Sequence, residues 1–201
     1  AFAGGTKIFA VRSGDRESEL VEVPYGAPLQ EILRRGGVAL DGSRGIHVGG
    51  PTGGVLPASA AGTATTFEAL AEAGTILGSA QVRVLPAPTC MVHFAASLFG
   101  YLERETCGIC VPCRVGTKRI GGVLESVYSN IGRQDDVAWL DELAAHLHDF
   151  SLCGFGITAA SIIRTVERYF GDDLKAHLAG RCPTDTCAPV RQRRYETMKQ
   201  P

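Results

Sequence analysis

Three cysteines at steps of three residues, Cys107, Cys110 and Cys113, constrain this chain more than any other feature. At that spacing one tight turn can aim three thiolates at a single point. The C-x2-C-x2-C run is the local part of a [4Fe–4S] site, which needs a fourth thiolate from elsewhere. Cys153, in the glycine-rich Ser151-Leu152-Cys153-Gly154-Phe155-Gly156, is the candidate. Glycines beside ligands, here Gly108 and Gly154, let the backbone approach a cluster and donate N–H groups to it. Structural zinc prefers well-separated pairs of cysteine and histidine, so a single-ion reading fits the seven-residue run less well.

The 201-residue chain is 45% hydrophobic and 20% charged, with a formal net charge of −1. That balance describes ordinary globular domains and gives no electrostatic reason to bind nucleic acid. The basic residues Arg191, Arg193, Arg194 and Lys199 read as a solvated end. No apolar run reaches the 18 or so residues of a membrane span, and the longest, around residues 91–99, contains His93. No signal peptide is visible. Seven cysteines, an odd number and clustered, point to a reducing, cytoplasmic setting and a metal site rather than a disulfide framework.

Residues 1–86 read as an α+β segment. Strands are expected at Thr6–Val11 and Glu19–Val23, joined through a turn at residues 13–15, then a helix opened by Pro28 and stopped by Gly36-Gly37. Further strands are expected at Ile46–Val48, Thr75–Leu77 and Gln81–Leu85, with a short helix within residues 65–73. Hairpin, helix, strand is the beginning of a β-grasp, ubiquitin-like domain. Gly49–Gly54 lacks the lysine of a P-loop and the order of a dinucleotide loop, so it reads as a structural turn.

Pro86 and Pro88 mark a boundary, with Thr89 placed to cap the next helix. Residues 87–180 then show four helical repeats of apolar residues, and a four-helix bundle is expected. Asp135 is the expected cap of the third helix. Thr158 is expected to cap the fourth and Gly171 to end it. The cysteine run falls between helices one and two and Cys153 between helices three and four. Both turns then lie at one end of an up-down bundle. Residues 181–201 read as a tail carrying Cys182 and Cys187, two thiolates that alone are too few for a metal, and Cys90 reads as a buried free thiol. His93 reads as a packed or surface residue, His146 and His148 as solvent-facing, and Trp139 and Tyr169 as core or interface aromatics.

Glu105-Thr106-Cys107-Gly108-Ile109-Cys110-Val111-Pro112-Cys113-Arg114-Val115-Gly116-Thr117 resembles the E-S-C-G-K-C-x-P-C-R-x-G-T motif. That motif belongs to the NADH-binding flavoprotein subunit of respiratory complex I and to the matching subunits of NAD-linked hydrogenases and formate dehydrogenases. Pro88–Val92, Gly180–Pro183 and the S-x-C-x-x-G around Cys153 resemble the same family. The resemblance implies a soluble-ligand-binding β-grasp domain followed by a [4Fe–4S] bundle. It also implies ligation by Cys107, Cys110, Cys113 and Cys153, with Arg114 offsetting cluster charge. In that family FMN takes hydride from NADH and a thioredoxin-like [2Fe–2S] subunit sits alongside. The glycine-rich nucleotide loop of the family is absent here, and the chain begins at the β-grasp segment. FMN and NAD(H) are therefore expected on a missing domain or a partner of a larger oxidoreductase complex. The expected role is electron transfer, with no catalysis by the chain alone. The alternatives are a metal-stapled structural module and a ligand-binding module acting through the β-grasp domain.

Overall fold

A computed structural model of the chain describes residues 4–14 and 16–187, so Asp15 of the expected first turn and the basic residues beyond 187 lie outside the described residues. The chain forms two compact units, residues 1–87 and 88–201.

The first unit is built on a five-stranded sheet in the order β2-β1-β5-β3-β4. β1 (Thr6–Ser13) and β2 (Glu19–Pro24) form an antiparallel hairpin. Its alternating pattern sends Phe9, Val11, Val21 and Val23 into the core. β5 (Gln81–Pro86) runs parallel to β1 and antiparallel to β3 (Ser43–Val48). α1 (Leu29–Arg35) comes after Pro28, which supplies an extended backbone ahead of the first turn, and buries Leu29, Ile32 and Leu33.

One expectation in this unit changes. Thr75–Leu77 is not a strand; the edge position belongs to β4 (Val55–Pro57), paired with β3. Thr75 instead stitches a loop, its hydroxyl donating to the Val48 carbonyl and accepting from the Gly54 N–H. Those bonds replace a ladder and satisfy buried backbone groups. The short helix is α2 (Phe67–Glu72), and its cap is Thr66, which accepts from the Ala69 N–H. In the turn at residues 49–54, a Cβ on Gly53 would lie 1.9 Å from the Val48 carbonyl oxygen, so glycine is required there by packing.

The second unit holds α3 (Met91–Glu105), α4 (Val111–Tyr128), α5 (Asp136–Phe150) and α6 (Gly154–Leu178). α3 packs on α4 and α6, and α5 on α4 and α6. Each helix contributes an apolar stripe: Phe99 and Leu102, Ile120 and Leu124, Leu140 and Leu147, Ile162 and Ile163. Trp139, expected in a core or interface, stands exposed, whereas Tyr169 is half-buried under the Arg168 guanidinium. His93 stacks on Tyr128, and His146 and His148 are exposed.

The helix ends differ from expectation in instructive ways. α3 starts after Cys90, not Thr89. Asp135 precedes α5 without capping it by its side chain; the neighbouring Asp136 carboxylate accepts from the Arg133 N–H instead. Thr158 lies inside α6 and donates to the Gly154 carbonyl four residues back, a bond a threonine makes within a helix as readily as at a cap. Gly171 does not end α6. The helix bends at Phe170, with φ −135° and ψ 24°, then continues because Asp173, Leu174, Ala176 and His177 keep a buried face.

Candidate functional site

Cys107 and Cys110 lie in the loop between α3 and α4, while Cys113 sits inside the first turn of α4, which begins two residues earlier, at Val111. Pro112 in that first turn fixes the backbone where no intrahelical donor is needed. Gly108 takes φ +77°, a conformation that closes the loop and that other residues rarely adopt. Arg114 donates from Nη1 to the Gly108 carbonyl at 3.0 Å and so clasps the loop from outside. Cys153 immediately precedes α6, with Gly154 as the first helical residue.

The two turns meet. Hydrogen bonding from the Leu152 N–H, and then from the Cys113 N–H, lowers the Cys110 thiol and favours its thiolate. Burial pushes the Cys113 thiol up, the Thr106 hydroxyl at 3.2 Å opposes that, and the charges of Cys110, Cys153 and Cys107 raise it further. Several sulfurs whose charges oppose one another are a site that a cation or cluster would relieve.

The packing at the start of α6 fits a cluster. A Cβ on Gly156 would lie 2.3 Å from Ser151 Oγ and 3.2 Å from Cys113 Cβ, so this helix can approach α4 only with a glycine there. Ser151 Oγ is buried and has no hydrogen-bond partner among the described residues. A buried hydroxyl without an acceptor is unfavourable by roughly 1–3 kcal/mol, and a cluster sulfide or thiolate beside Cys113 would satisfy it. The rim is apolar: Ile109 and Leu152 are each 77% exposed, and Val111, Trp139 and Phe150 are also exposed. An open groove lined by Val111, Pro112, Val115, Trp139, Leu143 and Phe150 continues this surface.

A second constellation lies at the other end of α6. Cys90, His177, Cys182 and Cys187 bring their ligand atoms within 4.8 Å of one another. Cys90 is therefore not an isolated thiol and Cys182 and Cys187 are not alone: Cys90 Sγ lies 3.2 Å and Cys187 Sγ 3.9 Å from His177 Nε2. Burial raises the Cys90 thiol. Burial and the charge of Cys90 raise Cys187. At Cys182 burial is outweighed by the Thr184 hydroxyl and the N–H groups of Cys187 and Thr184, which bring it down to about 5. His177 escapes a reading of the sequence that ends α6 at Gly171, about two turns too early. The signal available is the even spacing His177-x4-Cys182-x4-Cys187.

Residues 93–177 match the NADH-ubiquinone oxidoreductase-F iron-sulfur binding region. This segment belongs to that family. Across 94% of its length the chain is 34% identical to the NADP-reducing hydrogenase subunit HndC of Solidesulfovibrio fructosivorans, covering 40% of that protein. Across 89% it is 31% identical to the F 2 subunit of NADH-quinone oxidoreductase from Rhizobium meliloti (strain 1021), covering 44%. The chain thus spans about two-fifths of the length of these relatives. Its fold superposes on a chain of an NAD+-reducing [NiFe]-hydrogenase in the air-oxidized state with a TM-score of 0.76. That superposition has 27% identity and covers 98% of this chain and 35% of the other. Among the described residues no helix is long and apolar enough to cross a membrane.

Proposed function

We propose that this chain is an electron-transfer module whose [4Fe–4S] cluster is held by Cys107, Cys110, Cys113 and Cys153. The reading is supported by the meeting of the cysteine loop with the start of α6, around an unpartnered Ser151 hydroxyl, in a segment of an iron–sulfur binding family. Bound there, such a cluster accepts and releases one electron at a time.

The residues around it have distinct tasks. The Leu152 and Cys113 N–H groups stabilise thiolate at Cys110. Ser151 and Thr106 offer hydroxyls to sulfur, and hydrogen bonds of that kind tune a cluster's potential. Arg114 holds the loop closed and places a cation beside it. The positive end of the long helix α6 points at Cys153 and favours negative charge there. Ile109, Val111 and Leu152 form an exposed apolar rim on which a redox partner can close and exclude water.

In this reading the sheet unit is a β-grasp module of the soluble-ligand-binding kind and α3–α6 form a four-helix bundle. Hydride chemistry of FMN and NAD(H) is assigned to a flavin-bearing domain or subunit, with a thioredoxin-like [2Fe–2S] subunit as a further partner, in a cytoplasmic oxidoreductase complex. The deciding experiment is the optical and EPR spectrum of anaerobically purified protein before and after dithionite. A brown protein with about four iron atoms and an EPR signal only after reduction is expected of a [4Fe–4S] centre. A colourless protein without iron would overturn the reading.

A further inference from the structure

We propose that Cys90, His177, Cys182 and Cys187 form a closed, four-coordinate zinc site, separate from the iron–sulfur centre. Three of the four residues lie outside the segment matched by the iron–sulfur family, residues 93–177. They come from three places: the residue before α3, the last turn of α6, and the turn Cys182–Cys187 beyond it.

The geometry suits one ion rather than a cluster. A tetrahedral zinc with Zn–S of about 2.3 Å and Zn–N of about 2.05 Å sets sulfur and nitrogen about 3.5 Å apart. The observed separations from His177 Nε2 are 3.2 Å to Cys90 Sγ and 3.9 Å to Cys187 Sγ, which bracket that value. Three cysteines and one histidine are a donor set of structural zinc, and four protein ligands leave no open position for a substrate.

The surroundings complete the site. His177 is fully buried, and its Nδ1–H donates to Asn130 Oδ1 at 3.0 Å. That bond fixes the tautomer and turns the Nε2 lone pair toward the sulfurs, as histidine ligands of metals require. Asn130 itself sits at φ +55° just after α4, a conformation that asparagine tolerates. The Thr184 hydroxyl lies 3.3 Å from Cys182 Sγ. Cys182 is packed into the helical core, with Cys187 against it.

The chemical role is a clasp. One ion would tie the turn after α6 to the start of α3, residues about 100 positions apart in the chain. Nothing is transferred, and no redox step is involved. The site is also remote from the iron–sulfur turn. The two groups sit at opposite ends of α6, and the helix before the bend at Phe170 alone spans about 24 Å, roughly three Debye lengths in physiological salt.

The test uses the full chain, purified anaerobically from zinc-supplemented medium. Metal analysis is expected to give about one zinc per chain in addition to iron, and X-ray absorption at the zinc edge to give three sulfurs and one nitrogen. Cys182→Ser is expected to lose zinc while iron content and the dithionite-reduced EPR spectrum stay unchanged. Asn130→Ala is expected to keep the fold but weaken zinc by about 10–100-fold in chelator competition. Absence of zinc from the parent, iron in its place, or a zinc edge dominated by nitrogen and oxygen would overturn the proposal. So would Cys182→Ser retaining full zinc. Loss of iron alone from the parent would count against the [4Fe–4S] reading and leave the zinc site standing.

Discussion

One helix offers two glycines whose replacement by alanine should act in opposite directions. At Gly156 a methyl group would lie 2.3 Å from Ser151 Oγ and 2.6 Å from Ser151 Cβ, both too close, and 3.2 Å from Cys113 Cβ. Overpacking of this kind destabilises by about 1–3 kcal/mol. Alanine recovers up to about 1 kcal/mol of helix propensity, less so close to the helix start. Gly156→Ala should therefore lower the stability of the helical unit by about 1–2 kcal/mol, and it should also push the Cys153 turn away from Cys113. At Gly171 a methyl group meets nothing within 4 Å. Only the propensity gain remains, so Gly171→Ala should stabilise by about 0.5–1 kcal/mol. Urea unfolding followed by circular dichroism at the helix band, with iron analysis on the same samples, measures both effects. Ser151→Ala combined with Gly156→Ala should recover little, because the clash with Ser151 Cβ survives. Gly156→Ala with full iron and undiminished stability, or Gly171→Ala with reduced stability, would refute the packing argument.

Further outcomes rest on the same structure. Cys153→Ser should abolish the reduced-cluster EPR signal and most of the iron, whereas Cys90→Ser should keep both; full iron in Cys153→Ser would show the wrong fourth ligand. Ile109→Lys places a cation on the exposed rim. At about 10 Å through largely aqueous surroundings it contributes about 0.5 kcal/mol, on the order of 20 mV, in favour of the more negative reduced cluster. Protein-film or dye-mediated titration should show a raised midpoint potential, and an unchanged or lower one would count against this account. His47 is buried in β3, accepted by the sheet only as a neutral ring, and burial lowers its pKa from 6.5 to about 4. A depressed folded pKa means stability is fully present above 6.5 and is lost as the pH falls toward 4, by about 3 kcal/mol. His47→Gln should remove that slope from the unfolding of the sheet unit. Glu167 in α6 behaves oppositely: burial, then Asp141, raise it from 4.5 to about 7, so its contribution falls as the pH climbs through that interval. Glu167→Gln should flatten the loss above pH 4.5 in the helical unit, and an unchanged pH profile would contradict the assignment.

The proposed iron–sulfur turn can be read from the sequence because its information is local. Three cysteines within seven residues and a glycine-flanked fourth point to that chemistry with little help from tertiary structure, and the structure brings the two turns together. The apolar periodicities of α3–α6 locate the helices for the same reason. The helix ends are harder. Thr158 satisfies its hydroxyl inside a helix, and Gly171 is tolerated because the buried face resumes after the bend at Phe170. Each is decided by what packs alongside, which a single strand of letters does not reveal. The Cys90–His177–Cys182–Cys187 group is the extreme case. Its members are separated by most of the helical unit, and only the path of α6 past Gly171 brings His177 to Cys90. The strand at Val55–Pro57 is hidden by its three-residue length. Thr75–Leu77 reads wrongly as a strand because a buried threonine that bridges two backbone segments looks like a strand residue.

The order of the two ligand groups along the chain gives a timetable during synthesis. At translation rates of about 5–20 residues per second, the chain yields the last strand of the sheet before any of these cysteines. Cys90 and the Cys107–Cys113 run follow, Cys153 then completes the first group, and Cys187 emerges about 2–7 s after it. The loop joining Cys90 to Cys187 is about twice that joining Cys107 to Cys153, an added closure entropy of only about 0.6 kcal/mol. Arrival at the ribosome, more than chain entropy, therefore sets the order. On the proposed assignments, Cys107, Cys110, Cys113 and Cys153 are all available to a cluster-delivering machinery while the carboxyl-terminal clasp is still unmade, so the helices would receive iron in a looser state than the one they finally keep.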